Sequence, residues 1–109
     1  MTFNDYQAAA LKTALVRGKD HEVLERVLGL VGETGEIAEK FKKLIRDHDY
    51  DIFKLDREDM KKELGDVLWY IAALADYLEI SMDDIASHNI AKLASRQQRG
   101  TLTGSGDNR

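Results

Sequence analysis

Four carboxylates in this sequence form two pairs, and each pair has the spacing of one helical face. Glu33 and Glu36 are three residues apart, and Glu63 and Asp66 repeat that separation. Three residues correspond to about 300° of helical rotation and about 4.5 Å of rise, so both members of a pair project from one side of a helix. Because like charges so placed repel each other, each pair is mildly destabilising without a cation nearby.

Apolar residues border these acids at helical spacing. Leu30 and Ile37 flank Glu33, and Val67 follows Glu63 by four residues. A carboxylate drawn toward a core is costly unless it is paired or bound to a metal ion. If the two helices pack antiparallel, their carboxylates surround one volume and offer the hard oxygen ligands that Mg²⁺ or Mn²⁺ prefers. The spacing therefore predicts a divalent metal site between the two helices.

Other kinds of metal centre fit the sequence poorly. A carboxylate-bridged iron centre in a helical bundle needs Glu-x-x-His motifs, and none of His21, His48 and His88 follows a glutamate by three residues. EF-hand calcium loops are absent. Without cysteine there is no disulfide, thiolate nucleophile or zinc–sulfur site. The remaining alternative is that the acid pairs are solvated surface charges.

Four helices are expected to position these residues. Periodicity and capping signals predict a first helix from about residue 4 to 17, a second from about 21 to 46, a third from about 57 to 77 and a fourth that ends near residue 98 or 99. Residues 46–55 between the second and third helices are predicted to form a polar loop. No strand-like alternation occurs, so the expected fold class is all-α.

Polar residues mark the predicted helix ends. Gly18 is expected to stop the first helix, and Asp20 to cap the second. Asp56 is expected to cap the third helix. Ser81 opens the fourth helix with Asp84 three residues later, a variant of the capping box.

The second helix carries apolar residues on two opposite sides. We expect one stripe to face the core, and the other lies roughly opposite to it. The first stripe contains Leu24, Leu28, Val31, Gly35, Ala38, Phe41 and Ile45, and the second contains Val23, Val27, Leu30, Ile37 and Leu44. A chain of 109 residues can hardly cover both sides, which indicates an oligomer. Gly29, Gly32 and Gly35 each cost about 1 kcal/mol relative to alanine, which favours a role in close helix contact.

Composition and charge narrow the class of protein. The chain has 20 acidic and 16 basic residues, a net charge of −4, which argues against a general nucleic-acid binder. No stretch has the length of a membrane span, and the N-terminus lacks a signal-peptide pattern, so the cytoplasm is the expected location. We expect one domain over residues 1–99 and a flexible Gly/Ser-rich tail over residues 100–109.

The motifs together resemble those of a known enzyme family. LVGETGEIAE at residues 30–39 and KELGDVLWY at residues 62–70 are similar to the E-x-x-E, spacer and E-x-x-D pattern of MazG-like, all-α nucleoside triphosphate pyrophosphohydrolases. NIAKLASR at residues 89–96 resembles that family's N-x-x-K-L-x-x-R segment. The resemblance spans about residues 22–96. One departure is Gly32, where many relatives have a further acid, so no role that needs an acid is assigned there.

The resemblance implies a four-helix bundle-type fold completed by oligomerisation, as a homodimer or a dimer-of-dimers homotetramer. It implies hydrolysis of (d)NTP between the α and β phosphates, with two or more Mg²⁺ ions, or Mn²⁺, in each site. Carried over by position, the metal ligands are Glu33, Glu36, Glu63 and Asp66, and the residues that hold the nucleotide are Asn89, Lys92 and Arg96.

A metal-dependent hydrolysis of this kind needs a base as well as metal ligands. Divalent ions lower the pKa of bound water, and a carboxylate that is not saturated by metal can take its proton. Glu36 is the preferred candidate and Glu33 the other catalytic carboxylate, although the sequence does not separate ligand from base.

Further residues are candidates for substrate contact, each with a structural alternative. Lys40 lies one turn beyond Glu36 and is placed to reach phosphates, but a solvated basic helix end is equally compatible. Trp69 shares the acidic side of the third helix and is a candidate for base stacking, whereas core packing or a dimer contact is the alternative. Arg109 in the tail is a candidate phosphate ligand, unless the tail is disordered.

Two rival functions stay open at this point. One is a related enzyme of the same superfamily that acts on dUTP, dCTP or a phosphoribosyl-ATP-type substrate. The other is a non-enzymatic helical partner-binding module in which the acids are surface charges. Base preference is not readable, because no motif marks the groups that would bind a base edge.

Overall fold

In the computed structural model, residues 1–109 form four α-helices and one short 3₁₀-helix, with no β-strand. The helices are α1 (Phe3–Leu11), α2 (Glu22–His48), α3 (Arg57–Tyr77) and α4 (Met82–Gln98), and the 3₁₀-helix is Ile52–Lys54. The predicted all-α class and the bounds of the third helix are confirmed. None of the helices combines the length and apolar character that crossing a bilayer requires.

Two predicted helix caps are present. The Asp56 carboxylate accepts hydrogen bonds from the backbone N–H groups of Glu58 and Asp59, at 3.0 and 3.1 Å. The Ser81 hydroxyl accepts one from the N–H of Asp84 at 3.1 Å. Each cap satisfies N–H groups that have no partner within the first turn of a helix, which is why α3 and α4 begin where the sequence predicts.

The first helix is shorter than predicted and ends at Leu11 rather than at Arg17. Side-chain donors form hydrogen bonds to the last carbonyl groups of the helix. The Thr13 hydroxyl donates to the Ala10 carbonyl at 2.7 Å, and the Trp69 indole N–H donates to the same oxygen at 3.1 Å. The Arg17 guanidinium donates to the Leu11 carbonyl at 3.3 Å. These carbonyls also accept hydrogen bonds from backbone N–H groups three residues later, so the helix ends in a tightened turn to which the side-chain bonds add.

The predicted cap of the second helix is wrong. His21 rather than Asp20 is the N-cap residue of α2, and no side chain caps that end. The helix runs to His48, two residues past the predicted end, and Asp49 and Tyr50 follow in the left-handed region with φ of 54° and 57°. The stretch that was predicted as a plain loop contains the 3₁₀-helix, whose first turn is capped by the Asp51 carboxylate.

The helices pack in a chain of neighbours. α2 packs against α3, α3 against α1, and α4 against α1. A small core of Ala10, Leu11, Ala72, Ala73 and Met82 lies where α1, α3 and the start of α4 meet. The abundance of alanine lets the helix backbones approach closely, so little apolar volume is needed to fill the junction.

A glutamine on α1 fixes the junction between α3 and α4. The Gln7 amide N–H donates to the carbonyls of Ala72 and Ile80, at 3.3 and 3.1 Å, and its oxygen accepts from the Met82 N–H at 3.1 Å. This side chain satisfies backbone groups on both sides of the α3–α4 turn. It therefore holds the start of α4 against α1.

The apolar stripe of α2 that was predicted to face the core is instead exposed. Leu28, Val31 and Ile45 are 60%, 65% and 60% exposed, whereas Leu44 of the opposite stripe is buried. α3 covers only that opposite side. The radius of gyration is 17.0 Å, compared with about 13 Å for a compact chain of this size. These exposed residues agree with the prediction of an oligomer, which stays a prediction.

Candidate metal centre and nucleotide site

Three of the four predicted metal ligands meet between α2 and α3. One carboxylate oxygen from each of Glu33, Glu63 and Asp66 lies within 4.8 Å of the others. Glu33 projects from α2, and the other two project from α3 at the predicted three-residue spacing. We call these three residues the acidic cluster. Oxygen-only donors at this separation fit a hard divalent cation such as Mg²⁺ or Mn²⁺.

A glycine brings α2 and α3 close together one turn from the acidic cluster. The ring of Tyr70 lies against Gly29, where an added Cβ would stand 2.1 Å from a ring atom. Only glycine leaves room for that ring, so the predicted role in close contact is confirmed at this position. An added Cβ at Gly32 or Gly35 would meet nothing within 4 Å, so within the chain these two glycines make no such contact.

The acidic cluster raises the pKa of one of its own members. Burial raises the pKa of the Glu33 carboxyl, and the negative charges of Asp66, Glu63 and Glu36 raise it further. The field of Asp66 also reaches α1, where burial and then this charge raise the pKa of the Tyr6 hydroxyl. In both cases burial is the larger cause, and the negative charge of the acidic cluster acts in the same direction, which a bound cation would oppose.

Glu36 lies outside the acidic cluster. It is exposed on α2, one turn beyond Glu33, and no protein group forms an ion pair with it. Its charge acts on Glu33, so it lies beside the cluster rather than across the molecule. The structure therefore brings three of the predicted ligands together and leaves the fourth at the edge.

Lys40 contacts the acidic cluster from one side. Its ammonium group forms an ion pair with Asp59 and a second one with Glu63 at 3.2 Å. The hydrogen bonds to Asp59 and then Glu63 raise the pKa of Lys40. Sequence reasoning missed Asp59, although its position four residues before Glu63 places it on the same face of α3.

Trp69 joins α1 to α3. Its indole N–H is shared between the Ala10 carbonyl and the Thr13 hydroxyl, at 3.1 and 2.9 Å, so this donor is already bound within the chain. The ring meets Tyr70 edge-to-face at a centroid distance of 5.0 Å. Both aromatic residues line a cavity of about 250 Å³. These contacts are those expected if Trp69 packs within the chain, the structural alternative to base stacking.

Arg26 in the wall of that cavity is a buried residue that the sequence analysis missed. It is 4% exposed, and its guanidinium pairs with Glu22 at 2.6 Å and with Asp76 at 3.8 Å. It also donates to the Ala73 carbonyl of α3. The separation of four residues from Glu22 was the available sequence signal. The geometry is that of an ion pair that holds α2 to α3.

The predicted phosphate-binding residues of α4 lie apart from the acidic cluster. Lys92 and Arg96 lie one turn apart on α4, and both contact the Asp107 carboxylate, at 3.3 and 3.4 Å. Asn89 is exposed one turn earlier and lines a separate shallow cavity of about 320 Å³ with Lys92. α4 packs mainly against α1. Within one chain, these residues therefore do not join the acidic cluster between α2 and α3.

The tail folds back on the end of α4. The Arg109 guanidinium donates to the carbonyls of Gly106 and Leu102, at 2.7 and 3.1 Å, and the Arg99 guanidinium donates to the Arg109 backbone oxygen at 2.8 Å. Lys92, Arg96, Arg99, Arg109 and Asp107 line a cavity of about 450 Å³. We call this cavity the basic pocket.

Known proteins similar to this chain support the interpretation of the acidic cluster. The gene 37 protein of Mycobacterium phage L5 is 47% identical over 109 residues, covering 95% of this chain and 96% of that protein. No solved structure gives a significant match. The family model of the MazG nucleotide pyrophosphohydrolase domain matches residues 21–101, which include both carboxylate pairs and α4. Since that match covers most of the sequence, the resemblance is confirmed and the chain belongs to the MazG nucleotide pyrophosphohydrolase domain family.

Proposed function

We propose that this protein hydrolyses (d)NTP between the α and β phosphates, with Mg²⁺, to give (d)NMP and pyrophosphate. The observation that carries the proposal is the convergence of Glu33, Glu63 and Asp66 within 4.8 Å in a chain of this family. A triphosphate is strongly anionic, and three carboxylates would repel it without a cation between them. In this proposal, the acidic cluster can accept the substrate only when divalent ions neutralise the charge of its carboxylates.

The acidic cluster holds the metal ions in this proposal. Bound Mg²⁺ would supply Lewis-acid polarisation of the phosphate oxygens and lower the pKa of a bound water. Glu33, Glu63 and Asp66 would hold it from two helices that Gly29 and Tyr70 keep in close contact. Lys40 pairs with Glu63 at 3.2 Å at the edge of the cluster, and in this proposal its ammonium group also contacts a phosphate oxygen.

Glu36 is the proposed general base. It is exposed, lies one turn from Glu33 and lies outside the cluster, so a carboxylate oxygen remains available to take a proton. The test is Glu36→Gln, which keeps the size of the side chain and removes the base. We expect turnover to fall by about 10²–10⁴-fold, with Mg²⁺ affinity largely kept. Turnover like that of the wild type would remove Glu36 from the mechanism.

Asn89, Lys92 and Arg96 are the proposed phosphate contacts on α4, assisted by Arg109 in the tail.

A homodimer or homotetramer is the proposed assembly, since the apolar stripe of α2 is exposed in the single chain. Association through this face would cover Leu28, Val31 and Ile45. Sedimentation equilibrium of the wild type tests the assembly directly.

The deciding experiment is a panel of nucleoside triphosphates assayed for pyrophosphate release, with Mg²⁺ and with chelator. The panel includes dUTP, dCTP and phosphoribosyl-ATP, so it also identifies the substrate. We expect release from at least one compound with Mg²⁺ and none with chelator. The matched control is Glu58→Gln, an exposed acid of α3 whose ion-pair partner is Lys61. No release from any compound would overturn the proposal.

A further inference from the structure

A cavity beside the acidic cluster contains none of the metal or phosphate ligands proposed above. It has a volume of about 250 Å³, and its walls are residues 13–16 of the α1–α2 connection, Glu25 and Arg26 of α2, and Trp69 and Tyr70 of α3. We call it the aromatic cavity. Ligand sites usually enclose about 300–1,000 Å³. The aromatic cavity is slightly smaller, so it suits one flat ring system rather than a whole nucleotide.

The aromatic cavity lies one helical turn from the acidic cluster. Tyr70 follows the cluster residue Asp66 by four residues on α3, and Gly29, which its ring contacts, precedes Glu33 by four residues on α2. Four residues of helix correspond to about 6 Å of rise. In a nucleotide, one sugar separates the base from the α phosphate. A nucleotide whose phosphates lie at the acidic cluster can therefore place its base in the aromatic cavity.

Glu25 is the one acid in the lining of the aromatic cavity, and its carboxylate has no partner. No ion pair and no hydrogen bond within the chain engages it. The adjacent cation, Arg26, is directed elsewhere, because its guanidinium pairs with Glu22 at 2.6 Å and donates to the Ala73 carbonyl. An ionised carboxylate only accepts hydrogen bonds. A ligand that satisfies Glu25 must therefore bring an N–H or O–H donor.

The α1–α2 connection offers further unused polar groups in the wall of the cavity. The backbone N–H groups of Leu15 and Val16 and the carbonyls of Thr13, Ala14 and Leu15 make no hydrogen bond within the chain. The Val16 carbonyl accepts one from Arg26 at 3.5 Å. A few polar groups in a mostly apolar cavity orient a ligand through its own polar edge. A nucleobase has such an edge, with both donors and acceptors.

We propose that the aromatic cavity binds the base of the nucleotide and that Glu25 makes it select bases with an exocyclic amino group. The amino group of cytosine, adenine or guanine can donate a hydrogen bond to the carboxylate. Uracil has a carbonyl oxygen where cytosine has this group, and the negative charge of Glu25 repels it. The inference rests on the proposed function, in which the acidic cluster holds the phosphates of the same molecule. Among the substrates left open above, it favours dCTP over dUTP.

Deoxycytidine and deoxyuridine test the inference, because they differ in this group and carry no phosphate. Trp69 is the only tryptophan of the chain and lines the aromatic cavity, so its fluorescence reports occupancy by either nucleoside. Chelator is present throughout, so the acidic cluster takes no part. We expect deoxycytidine to bind about 10-fold more tightly, the effect of one hydrogen bond to a charged group. Equal affinity for the two nucleosides, or no response to either, would overturn the inference.

Glu25→Gln assigns the preference to the carboxylate. Glutamine keeps the size of the side chain but both donates and accepts hydrogen bonds, so we expect this variant to bind the two nucleosides about equally well. Glu25 is exposed on α2, and we expect the variant to unfold at the same temperature as the wild type. Glu58→Gln, at an exposed acid far along the chain, is the matched control and is expected to keep the preference. A wild-type preference in Glu25→Gln would mean that another group selects the base and that the inference is wrong.

The triphosphates separate the inference from the proposed function. With Mg²⁺, we expect kcat/KM for pyrophosphate release to be about 10-fold higher for dCTP than for dUTP, and the ratio to fall to about one in Glu25→Gln. A ratio that this substitution leaves unchanged would contradict the inference alone. If deoxycytidine binds with the expected preference but no triphosphate is hydrolysed by the wild type, only the proposed function fails.

Discussion

The acidic cluster and the basic pocket each contain one resident group of opposite charge, but they use it differently. In the basic pocket, Asp107 contacts both Lys92 and Arg96. In the acidic cluster, Lys40 contacts Glu63 at the edge, while Glu33 and Asp66 have no cationic partner. The cations of the basic pocket thus share an anion of their own chain, whereas two members of the acidic cluster have no cation within the chain. The difference indicates where an added cation would bind, as the proposed function requires.

The backbone that supports each region differs as well. The acidic cluster lies on two long helices whose approach is fixed by the contact of Gly29 with Tyr70. The basic pocket is half formed by a tail of bends and turns, in which Gly104 and Gly106 have φ of 118° and 86°. Helices keep the acids together against their mutual repulsion. The tail has no helix of its own and is held on α4 by side-chain contacts such as that of Arg96 with Asp107.

The largest effect is expected in the acidic cluster, the region that is predicted to depend on a metal ion. Asp66→Asn removes a cluster carboxylate that has no cation in the chain. We expect kcat/KM for pyrophosphate release to fall on the order of 10³-fold, about 4 kcal/mol of transition-state stabilisation. In chelator the same variant is expected to be slightly more stable than the wild type, because one repelling charge is gone.

Thermal unfolding with and without Mg²⁺ checks this prediction alongside the rate. Mg²⁺ is expected to raise the Tm of the wild type and of Glu58→Gln, and to raise that of Asp66→Asn much less. An equal Mg²⁺ effect in all three proteins would show that the acidic cluster is not where the metal binds.

The next effect concerns the contact that holds the cluster together. Gly29→Ala places a Cβ where the Tyr70 ring lies, so the helices must move apart. We expect the free energy of unfolding to fall by about 1–3 kcal/mol and Mg²⁺ to bind more weakly. Gly32→Ala, which meets open space in the chain, is expected to gain up to about 1 kcal/mol.

Urea unfolding of the two alanine variants measures both changes. A loss of stability in Gly29→Ala and a gain in Gly32→Ala agree with the described packing of one chain. Loss in both would contradict the open surroundings of Gly32 and would place a neighbouring subunit against that side of α2.

How much could be predicted from the sequence differs from one feature to the next, for a physical reason. The bounds of α3 and the caps at Asp56 and Ser81 were predictable, because they depend on residues within one turn. The meeting of Glu33 with Glu63 and Asp66 followed from helical spacing and antiparallel packing. The end of α1 was not predictable, since one of the groups that bind its last carbonyls is the indole of Trp69, 59 residues away in the chain.

The details of charge pairing were also beyond the sequence. Lys40 was predicted to reach phosphates, but which acid it contacts depends on the register of α2 against α3, and the structure pairs it with Asp59 as well as Glu63. The pairing of Asp107 with α4 depends on how a glycine-containing tail turns back. Periodicity and composition carry no information about such a turn.

A smaller effect is expected from removing the resident cation of the acidic cluster. Lys40→Met deletes a positive charge beside Glu63, so we expect Mg²⁺ to bind a few-fold more tightly. The KM for the nucleotide is expected to rise, because a cation near the phosphates is lost. Lys61→Met removes the exposed partner of Glu58 and is the matched control. Calorimetric titration of Mg²⁺ compares the three proteins, and weaker Mg²⁺ binding in Lys40→Met would show that Lys40 instead holds Glu63 in place.

The smallest effect concerns acidification of the basic pocket. Lys92 and Arg96 hold the pKa of the Asp107 carboxyl below its ordinary value, so the folded state binds this proton less readily than the unfolded state. The resulting stabilisation of the tail is fully present above the ordinary aspartate pKa and is lost as the pH falls from there through the lower pKa of the folded state. Asp107 contributes the only carboxylate side chain in the lining of the basic pocket, so the loss is assigned to this residue.

Hydrogen exchange of the tail amides at a series of pH values measures this loss. After correction for the intrinsic exchange rate, we expect protection of residues 101–109 to fall as Asp107 is protonated, while protection of α3 persists further. In Asp107→Asn the tail is expected to be less protected at every pH and to show no step in that range. A step of equal size in this variant would assign the transition to global acid unfolding and would mean that Asp107 does not hold the tail on α4.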